Sequence, residues 1–384
     1  MTDPIPLRAP SPAGAPLDVA LLSHVRHPVS QPFMGGMEAH SFHLAAGLVA
    51  RGHRVRMLAA GDSVCPGELV PITPRHYEVD FPWHTSHGTD ALNAHLDEIY
   101  SGALIALTRD RPDVVHNNAL HRYPQAWAAI HRQPMVSAMH VPPFGALQRA
   151  VLADPRPWSL TTVTSQRQVP RWWARPPATA SVVPNGIDPE AWRYRAGGGG
   201  GAVWIGRITP NKAPGAAIRA AMGAGLPITL FGPIEHRDCF EEEVRPHLGP
   251  QVRYGGHLTT AELQREAGGF DVLVFTPIWD EPFGLVAIEA MACGLPVAYF
   301  DSGAAAEVVG PCGAGAPAGD AAALAAAIPA AMAVPRSACR TRVLEQFTLE
   351  RMVDRFEALY RRAIEGVALP ILPDGALPAP MAAE

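Results

Sequence analysis

Short apolar runs alternate with helix-like stretches along most of this chain, and this alternation constrains the fold more than any other sequence feature. It is typical of α/β domains with parallel sheets. Because 384 residues exceed one ordinary core, we expect two domains, each with its own doubly wound sheet. The predicted strands form two sets: residues 17–22, 54–58, 113–115, 135–139, 161–164 and 181–183, then residues 202–205, 228–231, 252–254, 272–275 and 296–300.

Glycine-rich and proline-rich stretches mark the expected domain boundaries. Five consecutive glycines at 197–201 restrict the backbone little and predict a linker or hinge. Near the end, apolar residues spaced i, i+3, i+4 and i+7 predict a last amphipathic helix. The predicted organisation is a disordered tail (1–16), a first Rossmann-like domain (17–190), a glycine-rich linker (191–201), a second Rossmann-like domain (202–346), a closing helix (347–367) and a second disordered tail (368–384).

Composition excludes several classes of protein. The net charge of −5 argues against a general nucleic-acid binder, which is normally basic. Five scattered cysteines without a C-x-x-C pair favour reduced thiols and a cytoplasmic protein. The first residues lack the apolar run of a signal peptide, and no stretch of about 18 apolar residues predicts a transmembrane helix. Peripheral contact with a membrane stays open.

Residues that follow the strands are the candidates for a ligand site, because open α/β sheets bind ligands beyond the carboxyl ends of their strands. After the first strand, Gly35 and Gly36 open a helical pattern whose free N–H groups can meet an anion or a hydroxyl. A flexible turn would explain this pair equally well. After the first strand of the second set, Arg207 and Lys212 can together neutralise a diphosphate. Two solvated surface cations are the alternative.

Two glutamates follow the strand at 272–275. Pro282 suits the first position of a helix, so we expect a helix from 282 to about 292 with Glu281 at its cap, where negative charge is favourable in any case. Glu289 lies among almost exclusively apolar helix residues, which predicts a buried carboxylate. Such a carboxylate is costly unless it is hydrogen-bonded. A ribose diol would supply two donors, and the backbone or water is the alternative.

Several histidines lie near predicted strand ends. His140 ends one strand and should face the cleft, and His24 and His116 lie at strand ends as well, although a structural role is the commoner case for each alone. His40 and His43 share a helix face and could bind a metal, but the sequence offers no apparent third ligand. No D-x-D triplet is present to hold Mg²⁺ against a diphosphate, so we expect no metal.

Taken in order, these pieces resemble the retaining glycosyltransferases of family 4, which have the GT-B fold. Two departures accompany the match: Ala213 rather than glycine follows Lys212, and a single glycine precedes Glu307 where the family has a pair. The resemblance extends over residues 17–366 and rests on Gly35-Gly36 followed by Glu38, Val183-Pro184-Asn185-Gly186-Ile187-Asp188 at the domain junction, Gly206-Arg207 with Lys212, and Glu281-Pro282-Phe283-Gly284-Leu285 leading to Glu289, an E-x₇-E signature.

The resemblance implies two Rossmann-like domains facing each other across a cleft, with the helix after residue 347 crossing back to the first domain. It implies a hexosyltransferase that moves a sugar from a nucleoside-diphosphate sugar to a hydroxyl of a glycan, lipid-linked or small-molecule acceptor, with retention and without a metal or other cofactor. The implied site residues are Arg207 and Lys212 for the diphosphate, Glu281 for the donor sugar, Glu289 for the ribose, His140 near the reacting sugar, Gly35 and Gly36 near the phosphates, and the backbone of Phe283, Gly284 and Leu285.

Two other functions stay open at this point. A GT-B sugar-nucleotide epimerase or hydrolase would share the phosphate site but would need no acceptor. A non-catalytic nucleotide-sugar-binding protein would be expected to carry a damaged donor site, whereas both cations and both glutamates are present.

Overall fold

The computed structural model describes residues 14–153 and 155–369, so the predicted disordered tails at 1–16 and 368–384 lie almost entirely outside the described residues. The strands are β1 (Asp18–Leu22), β2 (Arg54–Ala60), β3 (Glu68–Thr73), β4 (Val114–Asn117), β5 (Met135–Met139), β6 (Ser159–Val163), β7 (Ala180–Val182), β8 (Ala202–Ile205), β9 (Ile228–Phe231), β10 (Val252–Tyr254), β11 (Val272–Phe275), β12 (Val297–Asp301) and β13 (Gly313–Pro317). The α-helices are α1 (Gly36–Ala50), α2 (Trp83–Ser86), α3 (Asp90–Asp110), α4 (Tyr123–His131), α5 (Gly145–Ala153), α6 (Val169–Trp172), α7 (Pro214–Gly223), α8 (Arg237–Glu243), α9 (Thr260–Glu266), α10 (Leu285–Ala292), α11 (Ala305–Val309), α12 (Ala321–Met332), α13 (Arg336–Gln346) and α14 (Leu349–Gly366).

The strands form two parallel sheets, with the orders β3-β2-β1-β4-β5-β6-β7 and β10-β9-β8-β11-β12-β13. In each sheet the chain starts near the centre, winds to one edge, and then returns to wind to the other. The strand order reverses between β1 and β4 and between β8 and β11, and such switch points leave a crevice at the carboxyl ends of the strands. The predicted pair of doubly wound α/β domains is confirmed.

Two edge strands, β3 and β13, are absent from the predicted sets. Pro71 interrupts β3, and a proline within an apolar run weakens a strand prediction. Strand β13 consists only of glycine, alanine and proline, which are depleted in strands, yet it pairs with β12 along its whole length. An edge strand pairs on one side only, so these sequences are tolerated there.

Helix α14 follows the second domain in sequence but packs on the first. Gly47 of α1 allows close approach, because a Cβ at this position would lie 2.7 Å from Val353 Cγ2. This packing confirms the predicted crossing helix. The buried face of α14 enters the core of the first domain through Met352, Val353, Phe356, Leu359, Tyr360 and Ala363.

The glycine-rich segment 191–201 requires a correction to its predicted role as a linker. Trp192 is buried in the core of the second domain. A Cβ at Gly198 would lie 2.4 Å from the Phe270 carbonyl oxygen, so this glycine packs closely against the same domain. The passage between the domains lies earlier, at residues 184–186, because the residues on either side of it enter the first and the second core.

Within the described residues, no single helix is both long enough and apolar enough to span a membrane. Helices α12 and α13 meet the criteria of length and composition only as a pair, and they are bent by 91° at the break between them. In the structure, Leu324 and Ile328 of α12 pack in the core of the second domain.

We expect Gly232→Ala to destabilise the protein much more than Gly225→Ala. Both glycines have positive φ, +140° and +74°, so alanine is strained at either position. A Cβ at position 232 would also lie 1.8 Å from the Gly206 carbonyl oxygen, whereas nothing lies within 4 Å of a Cβ at position 225. Urea unfolding should show a loss of about 1 kcal/mol for the control and roughly 2 kcal/mol more for Gly232→Ala. Equal losses would show that the Gly206 loop moves aside freely.

Candidate functional site

A cavity of about 1000 Å³ lies between the two sheets at the carboxyl ends of their strands. Residues after β1, β4 and β5 line it from the first domain, and residues after β8, β9 and β11 line it from the second. This is the crevice that two facing switch points create. The structure brings all ten predicted site residues to its wall: Gly35, Gly36, His140, Arg207, Lys212, Glu281, Phe283, Gly284, Leu285 and Glu289.

Arg207 follows β8 and is ion-paired with Glu235, which follows β9. The other oxygen of Glu235 lies 3.0 Å from a guanidinium nitrogen of Arg26 in the first domain. Burial alone would raise the pKa of Glu235, but the charges of Arg207 and Arg26 outweigh burial and lower it. One carboxylate between two guanidinium groups compensates charges that would otherwise be costly in a partly buried site. The same two cations are placed to meet an anion that enters the cavity.

Lys212 forms an ion pair with the buried carboxylate of Glu281. The same carboxylate oxygen accepts a hydrogen bond of 2.8 Å from Trp279 Nε1, and the Lys212 ammonium lies 5.1 Å from the centroid of that indole ring. The hydroxyl of Thr276, the residue that follows β11, donates to the Lys212 carbonyl and holds its backbone. A ligand with phosphates and hydroxyls could exchange partners with this pair, with phosphate on Lys212 and hydroxyls on Glu281.

Helix α10 begins at Leu285 and not at Pro282, which corrects the predicted helix start. Gly284 precedes the helix with φ +93°, and a Cβ there would lie 2.7 Å from the Phe275 ring. Glu281 is therefore a loop residue and not the helix cap. The first N–H groups of a helix lack intrahelical partners, so the start of α10 offers donors to an anion or hydroxyl in the cavity.

Glu289 lies one turn into α10, partly buried, on the wall of the cavity. No group among the described residues donates a hydrogen bond to its carboxylate, so the alternative of an internal backbone partner finds no support in this part of the chain. Burial raises the pKa of Glu289 to about 7. A carboxylate in this position is costly alone, and two hydroxyl donors would stabilise its charged form.

The opposite wall is formed where α1 begins. A Cβ at Gly36 would lie 3.0 Å from Leu285 Cδ1, so the starts of α1 and α10 are in close contact across the cleft. Glu38 is buried in the first turn of α1, and this burial raises its pKa. The glycine pair thus permits an approach that a side chain at Gly36 would obstruct.

Of the histidines singled out in the sequence, some line the cavity and others do not. His140 and His24 line the cavity as predicted. His116 lies inside β4, fully buried, because that strand extends beyond the predicted range 113–115. His40 packs against His140, with ring centroids 4.2 Å apart, and does not pair with His43 as a metal site would require. In the described part of the chain, no three His, Cys, Asp or Glu side chains are arranged to hold a metal ion.

Glu235 and Arg26 belong to the site but were not predicted from the sequence. The position of Glu235 shortly after β9 is the signal that could have indicated it. Glu307, in the segment that departs from the family pattern, has a different place: its two carboxylate oxygens accept hydrogen bonds from the backbone N–H groups of Gln166 and Arg167, at 2.8 and 2.9 Å. Glu307 therefore ties the second domain to the first.

Comparisons with known proteins agree with this geometry. The model described as Glycosyltransferase Family 4 matches residues 34–191, and that described as Glycosyl transferases group 1 matches residues 201–333. A glycogen synthase of Mycobacterium tuberculosis is 30% identical over 392 residues, which cover 88% of this chain and 93% of that protein. Sucrose-phosphate synthase from Thermosynechococcus elongatus has a TM-score of 0.74 at 21% identity, covering 90% of this chain and 99% of that chain. Anabaena HepE, solved with UDP-glucose, has a TM-score of 0.69 at 17% identity, covering 89% and 98%.

Two facing Rossmann-like domains, a cleft between them and a helix that crosses back define the GT-B fold, and the matches define the class as glycosyltransferase. The chain belongs to glycosyltransferase family 4. The resemblance drawn from four short motifs is thereby confirmed, while the roles of individual residues stay predictions.

Glu289 should make folding stability depend on pH. The folded-state pKa of about 7 exceeds the ordinary value of 4.5, so the unfolded chain releases this proton at lower pH than the folded protein does. The free energy of unfolding should therefore fall between pH 4.5 and 7, by up to about 3 kcal/mol, relative to Glu289→Gln. Urea unfolding of both proteins from pH 4.5 to 8 measures this difference. Parallel curves would show that the Glu289 carboxylate is well solvated.

Proposed function

We propose that this chain transfers a hexose from a nucleoside-diphosphate sugar to a hydroxyl acceptor, with retention of anomeric configuration and without a metal. The observation that carries the proposal is the convergence of Arg207, Lys212, Glu281 and Glu289 on one cavity between the domains. Two cations suit a diphosphate, and two carboxylates suit the hydroxyls of a sugar and a ribose. A volume of about 1000 Å³ is large enough for a nucleotide sugar and part of an acceptor.

The comparisons support a nucleotide-sugar donor. Anabaena HepE, which shares the fold, was solved in complexes with UDP and with UDP-glucose. The cations of the present cavity already have carboxylate partners, Glu235 for Arg207 and Glu281 for Lys212. We expect the donor diphosphate to replace both carboxylates. Glu281, once released from Lys212, would accept hydrogen bonds from hydroxyls of the donor sugar.

The chemical step follows from where charge develops. As the bond between the anomeric carbon and the phosphate oxygen breaks, negative charge grows on the diphosphate, and Arg207 and Lys212 stabilise it. The bond to the acceptor oxygen forms on the same face, and the acceptor proton moves to the departing phosphate oxygen. In this scheme the two side-chain cations and the start of α10 supply the positive potential that a metal would otherwise bring.

Arg207→Ala and Lys212→Ala should each lower the affinity for a nucleoside diphosphate by about tenfold or more, since each removes a charge-assisted contact worth roughly 1.5–3 kcal/mol. Calorimetric titration with UDP and GDP measures the effect. Arg245→Ala is the matched control, because Arg245 is an exposed arginine of the same domain, paired with Glu241. Unchanged affinity in both site variants would remove these residues from the donor site.

The product should keep the anomeric configuration of the donor. We expect an α-linked product from an α-configured nucleoside-diphosphate sugar, with donor and acceptor chosen by a thermal-shift screen and the linkage assigned by proton NMR. Chelation with EDTA should leave the rate unchanged. A β-linked product would contradict the same-face step. Release of free sugar at the full rate without any acceptor would favour the hydrolase alternative.

A further inference from the structure

A buried chain of polar side chains runs from the cavity wall to the crossing helix. His140 Nε2 lies 3.1 Å from the amide oxygen Oδ1 of Asn118, and His116 Nε2 lies 3.1 Å from the same oxygen. On its other side, His116 Nδ1 lies 2.8 Å from the hydroxyl of Tyr360 on α14. Asn118, His116 and Tyr360 are all fully buried. These hydrogen bonds therefore connect the cavity to a helix from the far end of the sequence.

The hydroxyl proton of Tyr360 decides the direction of these hydrogen bonds. Tyr360 is shielded from water, and His116 Nδ1 is the acceptor that the structure offers it, so Nδ1 must carry no proton. Neutral His116 then carries its proton on Nε2 and donates to Asn118 Oδ1. The reverse orientation of the Asn118 amide would require a proton on His116 Nδ1, which would leave the Tyr360 hydroxyl without an acceptor there.

The same amide oxygen determines the proton position on His140. An amide oxygen only accepts, so His140 must donate from Nε2, and its Nδ1 is left as a bare acceptor. The Asn118 amide is held in this orientation by its Nδ2, which donates to the Ser41 hydroxyl at 3.1 Å. Burial lowers the pKa of His140 to about 4 and that of His116 to about 3, so both rings are neutral at pH 7.

We infer that Asn118 and Tyr360 are positioning residues for transfer: through His116 they hold His140 as the Nε2–H tautomer, with Nδ1 free to accept a hydrogen bond from a substrate hydroxyl in the cleft. The inference rests on the proposed function for its substrate. It assigns to α14 a role in the site besides joining the domains, because the tyrosine that packs in the first core also determines which nitrogen of a cavity-wall histidine carries the proton.

The first test needs no activity. In the full chain labelled with ¹⁵N-histidine, with the His140 signals assigned by a His140→Gln variant, we expect the neutral Nε2–H form of His140 from pH 6 to 8. Tyr360→Phe should give a mixture of the two tautomers. Tyr100→Phe is the matched control, because Tyr100 is also a buried tyrosine whose hydroxyl donates one hydrogen bond, to Ser23. An Nδ1–H form in the unmodified protein, or an unchanged tautomer in Tyr360→Phe, would overturn the inference.

The second test separates positioning from folding and from donor binding. Tyr360→Phe should lower kcat roughly tenfold, the equivalent of one misplaced hydrogen bond, while the Kd for UDP stays unchanged. Tyr100→Phe should leave both unchanged. Equal kcat in the two variants would contradict a positioning role. Absence of transfer and of donor hydrolysis in the unmodified protein would instead count against the proposed function and would leave the NMR test intact.

Asn118→Asp provides a second variant with a different readout. A carboxylate between the two imidazoles would raise the pKa of His140 and put a proton on Nδ1 at lower pH. The titratable groups packed around this position are His40 on α1, His116 on β4 and Tyr360 on α14. We expect the rate of Asn118→Asp to fall below about pH 7, whereas the unmodified protein keeps its rate down to about pH 6. Identical pH profiles would overturn the inference.

Discussion

The packing of α14 into the first domain is the constraint on which the cleft depends. Each large apolar side chain that it buries contributes about 1.5–3 kcal/mol before entropy is counted, so the end of the chain is firmly held there. Where the chain crosses between the domains, the Ile187 N–H donates to the Phe347 carbonyl and the Leu349 N–H donates to the Ile187 carbonyl. The two crossings therefore run side by side, and motion between the domains has to bend this one paired segment rather than the glycines at 197–201.

Within the cleft, two carboxylates compensate the charges of two cations in the absence of a ligand. Glu235 and Glu281 hold the two cations that the diphosphate is proposed to take over. Opposite charges are thus already adjacent without a ligand, and in the proposed scheme the donor diphosphate takes the place of both carboxylates beside the cations. The backbone after Lys212 is left-handed, with φ +47° at Ala213. A glycine at this position would adopt the same conformation without strain.

Sequence periodicity was sufficient for the central strands, because a strand buried on both faces reads as a continuous apolar run. It failed for β3 and β13, where pairing to one neighbour outweighs weak strand propensity. The place of Arg207, Lys212 and Glu281 on the cavity wall was predictable because each follows a strand within a few residues. That of Glu289 was predictable because the rest of its helix is apolar. Asn118 and Tyr360 are hydrogen-bonded to partners from other segments; Tyr360 bonds to His116, which lies 244 positions earlier. Contacts between residues so far apart in sequence follow from the fold and cannot be predicted from the spacing of motifs.

The contacts that the segment after β6 makes across the cleft share a direction. The Thr164 and Ser165 hydroxyls donate to the Pro282 carbonyl at 2.8 and 2.9 Å, next to Glu281. Glu307 accepts from the backbone just after Ser165, and Arg171 pairs with Asp280 at 2.9 Å. In all of these contacts the first domain donates and the second accepts, and most involve the segment after β6 and the loop before α10. Opening the cleft would break them together, so the loop that carries Glu281 is the part of the proposed donor site whose position depends most directly on domain closure.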